Sequence, residues 1–201
     1  MKRISRISQF IFAALFALSL GLQGNQPAAA QDGGVRIQHH AQTGKVSFIG
    51  AAPGKPITVR AAQAPGLQQQ DQALAMVQAY AADFGLRPGV DELTTMSVRS
   101  APSRQITKFQ QSYQGVPILA GELVVNATDQ GGLLSINGEI APDLKVDTNP
   151  SITSAQAQET ALQSVAKWYS GDPAGFETTE PALWIYDSRL LQPDGLPASL
   201  V

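Results

Sequence analysis

The strongest constraint on how this chain can fold is the spacing of turn signals between residues 101 and 140. Ala101-Pro102-Ser103, Gly115-Val116-Pro117 and Asp129-Gln130-Gly131-Gly132 cut this stretch into short runs. Runs 105–113, 122–126 and 133–140 alternate apolar and polar residues, the period of a strand with one buried face. A parallel crossover needs a dozen residues or more, so such close turns require antiparallel pairing. Alternation places Phe109, Tyr113, Leu123 and Val125 on one packed face, with Gln111 between the two aromatics. It leaves Lys108, Gln110, Glu122 and Val124 on the opposite face, the candidate surface for a partner.

Two segments follow the helical period instead. Over 69–84, Ala73, Val77, Tyr80 or Ala81, and Phe84 form a stripe, Gly85 fits a C-cap and Pro88 stops continuation. Thr153-Ser154-Ala155-Gln156 fits a capping box, with Ile152 placed to staple against Ala157. That second helix carries Ala157, Ala161, Leu162, Val165 and Trp168 and ends near Gly171-Asp172-Pro173. A strand at 182–186, the Pro193-Asp194-Gly195 turn and an apolar run at 196–201 follow. Helix-then-strands thus occurs twice. The expectation is an α+β protein of two small helix-on-antiparallel-sheet units in tandem, the second broken off at Val201. Composition divides the chain into 1–30, a Gly, Ala and Pro-rich strand and loop segment 31–64, and units at 65–142 and 143–201, with a Pro-bounded linker at 141–150.

Residues 1–30 read as an export signal. Lys2, Arg3 and Arg6 precede an apolar run over 10–22, and Ala28-Ala29-Ala30 supplies the small residues for a cut between Ala30 and Gln31. The run is short of the ~20 residues a spanning helix needs, so the expectation is secretion with no membrane association after cleavage.

Composition then removes most chemistry. The chain has 201 residues and no cysteine, which excludes disulfides, thiolate metal sites and a cysteine nucleophile. Its two histidines, His39 and His40, are adjacent, and as strand neighbours they point to opposite faces, so they read as solvated loop residues rather than ligands. No H-E-x-x-H, G-x-S-x-G or Walker pattern occurs. A net charge of −2 gives no basic footprint for nucleic acid. The expectation is a chain with no catalytic residue, no metal ligand and no cofactor.

One stretch is distinctive: Lys108-Phe109-Gln110-Gln111-Ser112-Tyr113-Gln114-Gly115-Val116-Pro117-Ile118-Leu119-Ala120-Gly121-Glu122. It resembles the fungalysin/thermolysin propeptide domain, whose hallmark is an F-x-Q-x-Y-x-G-V-P-V-x-G-G-E-like strand–turn–strand. On that resemblance Phe109, Gln111, Tyr113, Gly115, Val116, Pro117 and Gly121 are the motif residues, and Ala120 stands where the family has glycine. Residues 151–201 resemble the start of the adjoining PepSY domain. The resemblance implies the N-terminal pro-region of a secreted thermolysin-like metalloprotease, a folding assistant and inhibitor of a catalytic domain in cis or in trans. Zinc, and with it calcium, would belong to that catalytic domain and not to this chain. The family's inhibitory stretch follows the PepSY domain, so no residue here is assigned to a protease active site. The alternative is a free-standing secreted PepSY-type binding or inhibitory module.

Overall fold

The computed structural model describes residues 31–32 and 34–191. The export signal, its Ala30 side of the cut, the turn at 193–195 and the run at 196–201 lie outside the described residues. Seven strands form one antiparallel sheet: β1 (Gln31–Asp32), β2 (Val35–His39), β3 (Val46–Gly50), β4 (Asp91–Ala101), β5 (Arg104–Tyr113), β6 (Val116–Thr128) and β7 (Leu133–Glu139). Their order is β1-β2-β3-β7-β6-β5-β4. The β4–β7 meander follows directly from its short turns. The β2–β3 hairpin docks on the far side of that meander, pairing Phe48 with Asn137 and Ile49 with Ile136.

Helices α1 (Gln69–Ala79) and α2 (Ala81–Phe84) cover one face of the sheet. Gly85 closes α2 in the left-handed conformation at φ 86°, as the C-cap reading requires. The core joins Ala73, Met76, Val77 and Phe84 of the helices to Phe109, Leu123, Val125, Leu133 and Ile136 of the sheet. Val46, Ile49, Val59 and Ala62 belong to that same core, so the segment 31–64 completes it. Fully burying a side chain such as Phe84 or Met76 stabilises the fold by about 1.5–3 kcal/mol.

The second expected helix-on-sheet unit is not formed by the described residues. Helix α3 (Ser154–Tyr169) begins on the capping box read from the sequence, with Thr153 Oγ1 accepting from the Gln156 N–H. It then buries only Ala166 and covers no sheet. The run at 182–186 contributes one parallel bridge, Ile185 to Ile118, and leads into the short α4 (Ser188–Leu191). This run adds to the edge of a β6 bulge rather than to a sheet of its own. No helix among the described residues is long and apolar enough to cross a membrane.

Candidate functional site

The β5–β6 hairpin turns on Gln114 and Gly115, both at positive φ (50° and 79°), with Tyr113 paired to Val116. Two consecutive positive φ values define the tight turn whose twist matches the flanking strands. Val116 and Pro117, expected within the turn, are instead the first residues of β6. Pro117 sits opposite Ser112, next to the closing pair, where an antiparallel ladder exchanges no hydrogen bonds and a missing N–H costs nothing.

Beyond Pro117 the ladder breaks. The register jumps from Ser112↔Pro117 to Gln110↔Glu122, so residues 118–121 bow out opposite Gln111 alone. Ala120 turns this bulge at φ 63°. Gln110 takes up the carbonyls freed by the bulge, and Gln111 reaches the chain beyond β7. Gln110 Nε2 donates to the carbonyls of Gln111, Ile118 and Gly121 at 3.0, 2.7 and 3.0 Å. Gln111 Oε1 accepts from the Ala141 N–H at 2.9 Å, and its Nε2 donates to the Ala141 carbonyl at 3.1 Å. Gly121 sits in a crowded place, where a Cβ would stand 3.0 Å from Ile118 Cβ and 3.1 Å from Gln111 Oε1 and would push on both.

The bulge corrects one expectation drawn from strict alternation. Gln110 is buried, its amide held by the bulge carbonyls, and it is not part of an open face. Tyr113 keeps the face of Phe109 by register, but it packs in a second apolar cluster with Ile118, Ala141, Ile185 and Leu190.

Lys108, Glu122 and Val124 lie on the sheet face turned away from the helices. Lys108 Nζ and Glu122 Oε2 are 2.7 Å apart, each side chain more than a third exposed, a pair worth up to about 1 kcal/mol. Val124 lies between Lys108 and Asn137. The face continues through Asn126, whose Nδ2 donates to Ser135 Oγ at 3.0 Å, to Phe48 beneath the Arg36 guanidinium at 5.8 Å. Sequence reasoning missed Phe48 for a physical reason. Val46 pairs with His39 and Phe48 with Gln38, so Ser47 is an extra residue that reverses the parity of β3.

Two arginine–aspartate pairs, also absent from the sequence reading, fasten the linker. Arg87 donates to both oxygens of the buried Asp91 carboxylate at 3.1 Å and to the Leu144 carbonyl at 3.2 Å, and lies 5.6 Å from the Tyr113 ring. Arg189 holds Asp187 at 2.7 Å and reaches the Pro142 carbonyl at 3.1 Å. Burial works against ionisation of Asp187, yet the side-chain and backbone hydrogen bonds from Arg189 outweigh it and hold the carboxyl below its ordinary 3.8. His40 is no solvated loop residue: its Nε2 lies 3.5 Å from Glu139 Oε1, and its Nδ1 accepts from the Thr43 N–H.

The glutamine-bridged bulge and its flanking strands lie within the stretch of the chain that matches a known family model. Residues 104–140 match the family model of the Fungalysin/Thermolysin Propeptide Motif. No curated protein and no solved structure matches the chain. The motif spans β5 through β7 and includes each of Phe109, Gln111, Tyr113, Gly115, Val116, Pro117 and Gly121. In this structure they act on the chain itself. Phe109 fills the core, Gly115 makes the turn, Gln111 ties the bulge to the departing chain, and Gly121 leaves room for it. Among the described residues, no group of three or more histidines, aspartates or glutamates is placed to hold a metal ion.

Proposed function

We propose that this chain is the pro-region of a secreted thermolysin-like zinc metalloprotease, helping the catalytic domain to fold and restraining it until removal. The observation that carries the reading is the propeptide motif over 104–140. Residues 151–201 would then belong to a PepSY-like domain, and residues 1–30 would direct export. A segment that binds the folded or nearly folded protease better than the unfolded chain shifts folding toward it. Where the protease is trapped by a barrier rather than by instability, that help appears as a rate.

The open sheet face is the surface best suited to the contact. It presents Val124, Asn126 and Phe48 among the Lys108–Glu122 pair and Arg36, and no described element covers it. The test is refolding of the denatured cognate metalloprotease domain with and without this chain. Acceleration by the wild type is expected, with loss of at least half the effect for Val124→Asp. No acceleration by the wild-type chain would exclude the folding role. Equal acceleration by the variant would place the contact on another face.

A further inference from the structure

We infer that the outer edge of β4 is a site at which two copies of this chain associate, edge to edge, about a two-fold axis. β4 is the last strand of the sheet, so its outward backbone groups meet no strand among the described residues. At the other end of the sheet, β1 is only two residues long and offers little to pair with. β4 has 11 residues, and an exposed edge of that length attracts further strands unless it is defended.

Charge and a bulge are the usual defences, and β4 has both. Thr95 opposes Phe109 and Ser97 opposes Lys108, leaving Met96 as the extra residue. What marks this edge out is its symmetry about that bulge. The extra residue resets the alternation, so Glu92, Thr94, Ser97 and Arg99 share the open face while Leu93, Thr95 and Val98 share the helix face. Counted outward from the Thr95–Met96 pair that together opposes Phe109, Glu92 and Arg99 are equally distant, as are Leu93 and Val98, and Thr94 and Ser97.

An antiparallel copy related by an axis through the bulge therefore sets Glu92 of each chain against Arg99 of the other. On the helix face Leu93 meets Val98. Glu92 and Arg99 are both exposed, and neither has a charged partner among the described residues. Met96 and Val98, at 56% and 38% exposure, are the apolar groups that such pairing covers. Leu93 borders a groove of about 430 Å³ lined also by Leu74, Val77, Ala81 and Leu86, which offers apolar surface beside an incoming side chain. A strand of other sequence meets an acid at one end of this edge and a base at the other, and most pair badly with both. A second copy matches them by construction, which is specificity by charge pattern.

Sedimentation equilibrium of the purified chain, with Glu92→Arg, Arg99→Glu and the double reversal, tests this. A monomer–dimer equilibrium is expected, with each single reversal raising the dissociation constant at least about tenfold and the double returning to within about threefold of wild type. Both positions are exposed, so the variants should keep their fold, and circular dichroism checks that they do. A second measurement is independent of charge. In a chain with no native cysteine, Thr94→Cys with Ser97→Cys should oxidise to a covalent dimer. A wild type that stays monomeric to about 1 mM, or a double reversal whose loss is the sum of the single losses, overturns the inference.

Discussion

At Ala120 a single backbone angle separates this chain from the sequence pattern it resembles. An alanine at φ 63° carries the crowding of Cβ against its own carbonyl that left-handed backbone imposes on L-residues. Ala120→Gly should therefore raise stability by about 1 kcal/mol in urea melts, with the gain reduced by glycine's greater freedom when unfolded. Gly115→Val, at φ 79°, should lower it by about 1–3 kcal/mol. Gln111→Leu should cost about 2–5 kcal/mol, because both backbone groups of Ala141 lose a buried partner. An unchanged midpoint for Gln111→Leu would mean that the 30-residue bridge is not what holds the linker. The need for glycine at position 115 is readable from the turn signal alone. The roles of Gln110 and Gln111 are not, because two adjacent polar residues in an alternating run read as one inward and one outward until the bulge buries both.

Elements built from local contacts are those the sequence discloses. The α1–α2 stripe, the Gly85 cap, the β5–β6 turn, the Thr128 to Gly132 turn and the α3 capping box each depend on residues within four or five positions of one another. The linker clasp depends on partners 47 and 57 residues apart, and no periodicity signals them. The β2–β3 hairpin is legible as two short strands. Its docking against β7 rests on a long connection that composition mistakes for a boundary. One arm of the clasp is acid-sensitive. Asp187 has a folded pKa below its ordinary 3.8, so its contribution is fully present above that value and is lost as pH falls through the folded one. Release of the 182–191 segment is expected in that acid range. It can be followed by the Ile185 amide, which donates to the Pro117 carbonyl at 2.9 Å. Asp187→Asn should abolish the acid step while weakening the clasp at neutral pH. A segment that stays docked through the titration would show that the apolar contacts of Ile185 and Leu190 suffice without the ion pair.

For the whole molecule, stability is divided unevenly between two regions. The sheet with α1 and α2 encloses one continuous core to which β3 and strands of the β4–β7 meander contribute. Helix α3, 16 residues long, buries Ala166 and leaves Val165, Trp168 and Tyr169 exposed, the last two at 84% and 71%. A helix of this length is marginal in water by itself, and tertiary packing of an apolar face is what normally sustains one. The capping box adds about 1 kcal/mol at the N-terminus, too little to replace that packing. The amides of α3 should therefore exchange with solvent through local opening costing no more than about 1–3 kcal/mol, while those of β5, β6 and β7 exchange only on global unfolding. Phe84→Ala sharpens the test, because removing a fully buried ring should cost about 3–5 kcal/mol. Hydrogen-exchange mass spectrometry of wild type and variant should show faster exchange across the strands and an unchanged rate across 154–169. If α3 and β6 accelerate together, the helix unfolds with the core, and the apolar stripe is buried in solution by a contact that this arrangement of the chain does not contain.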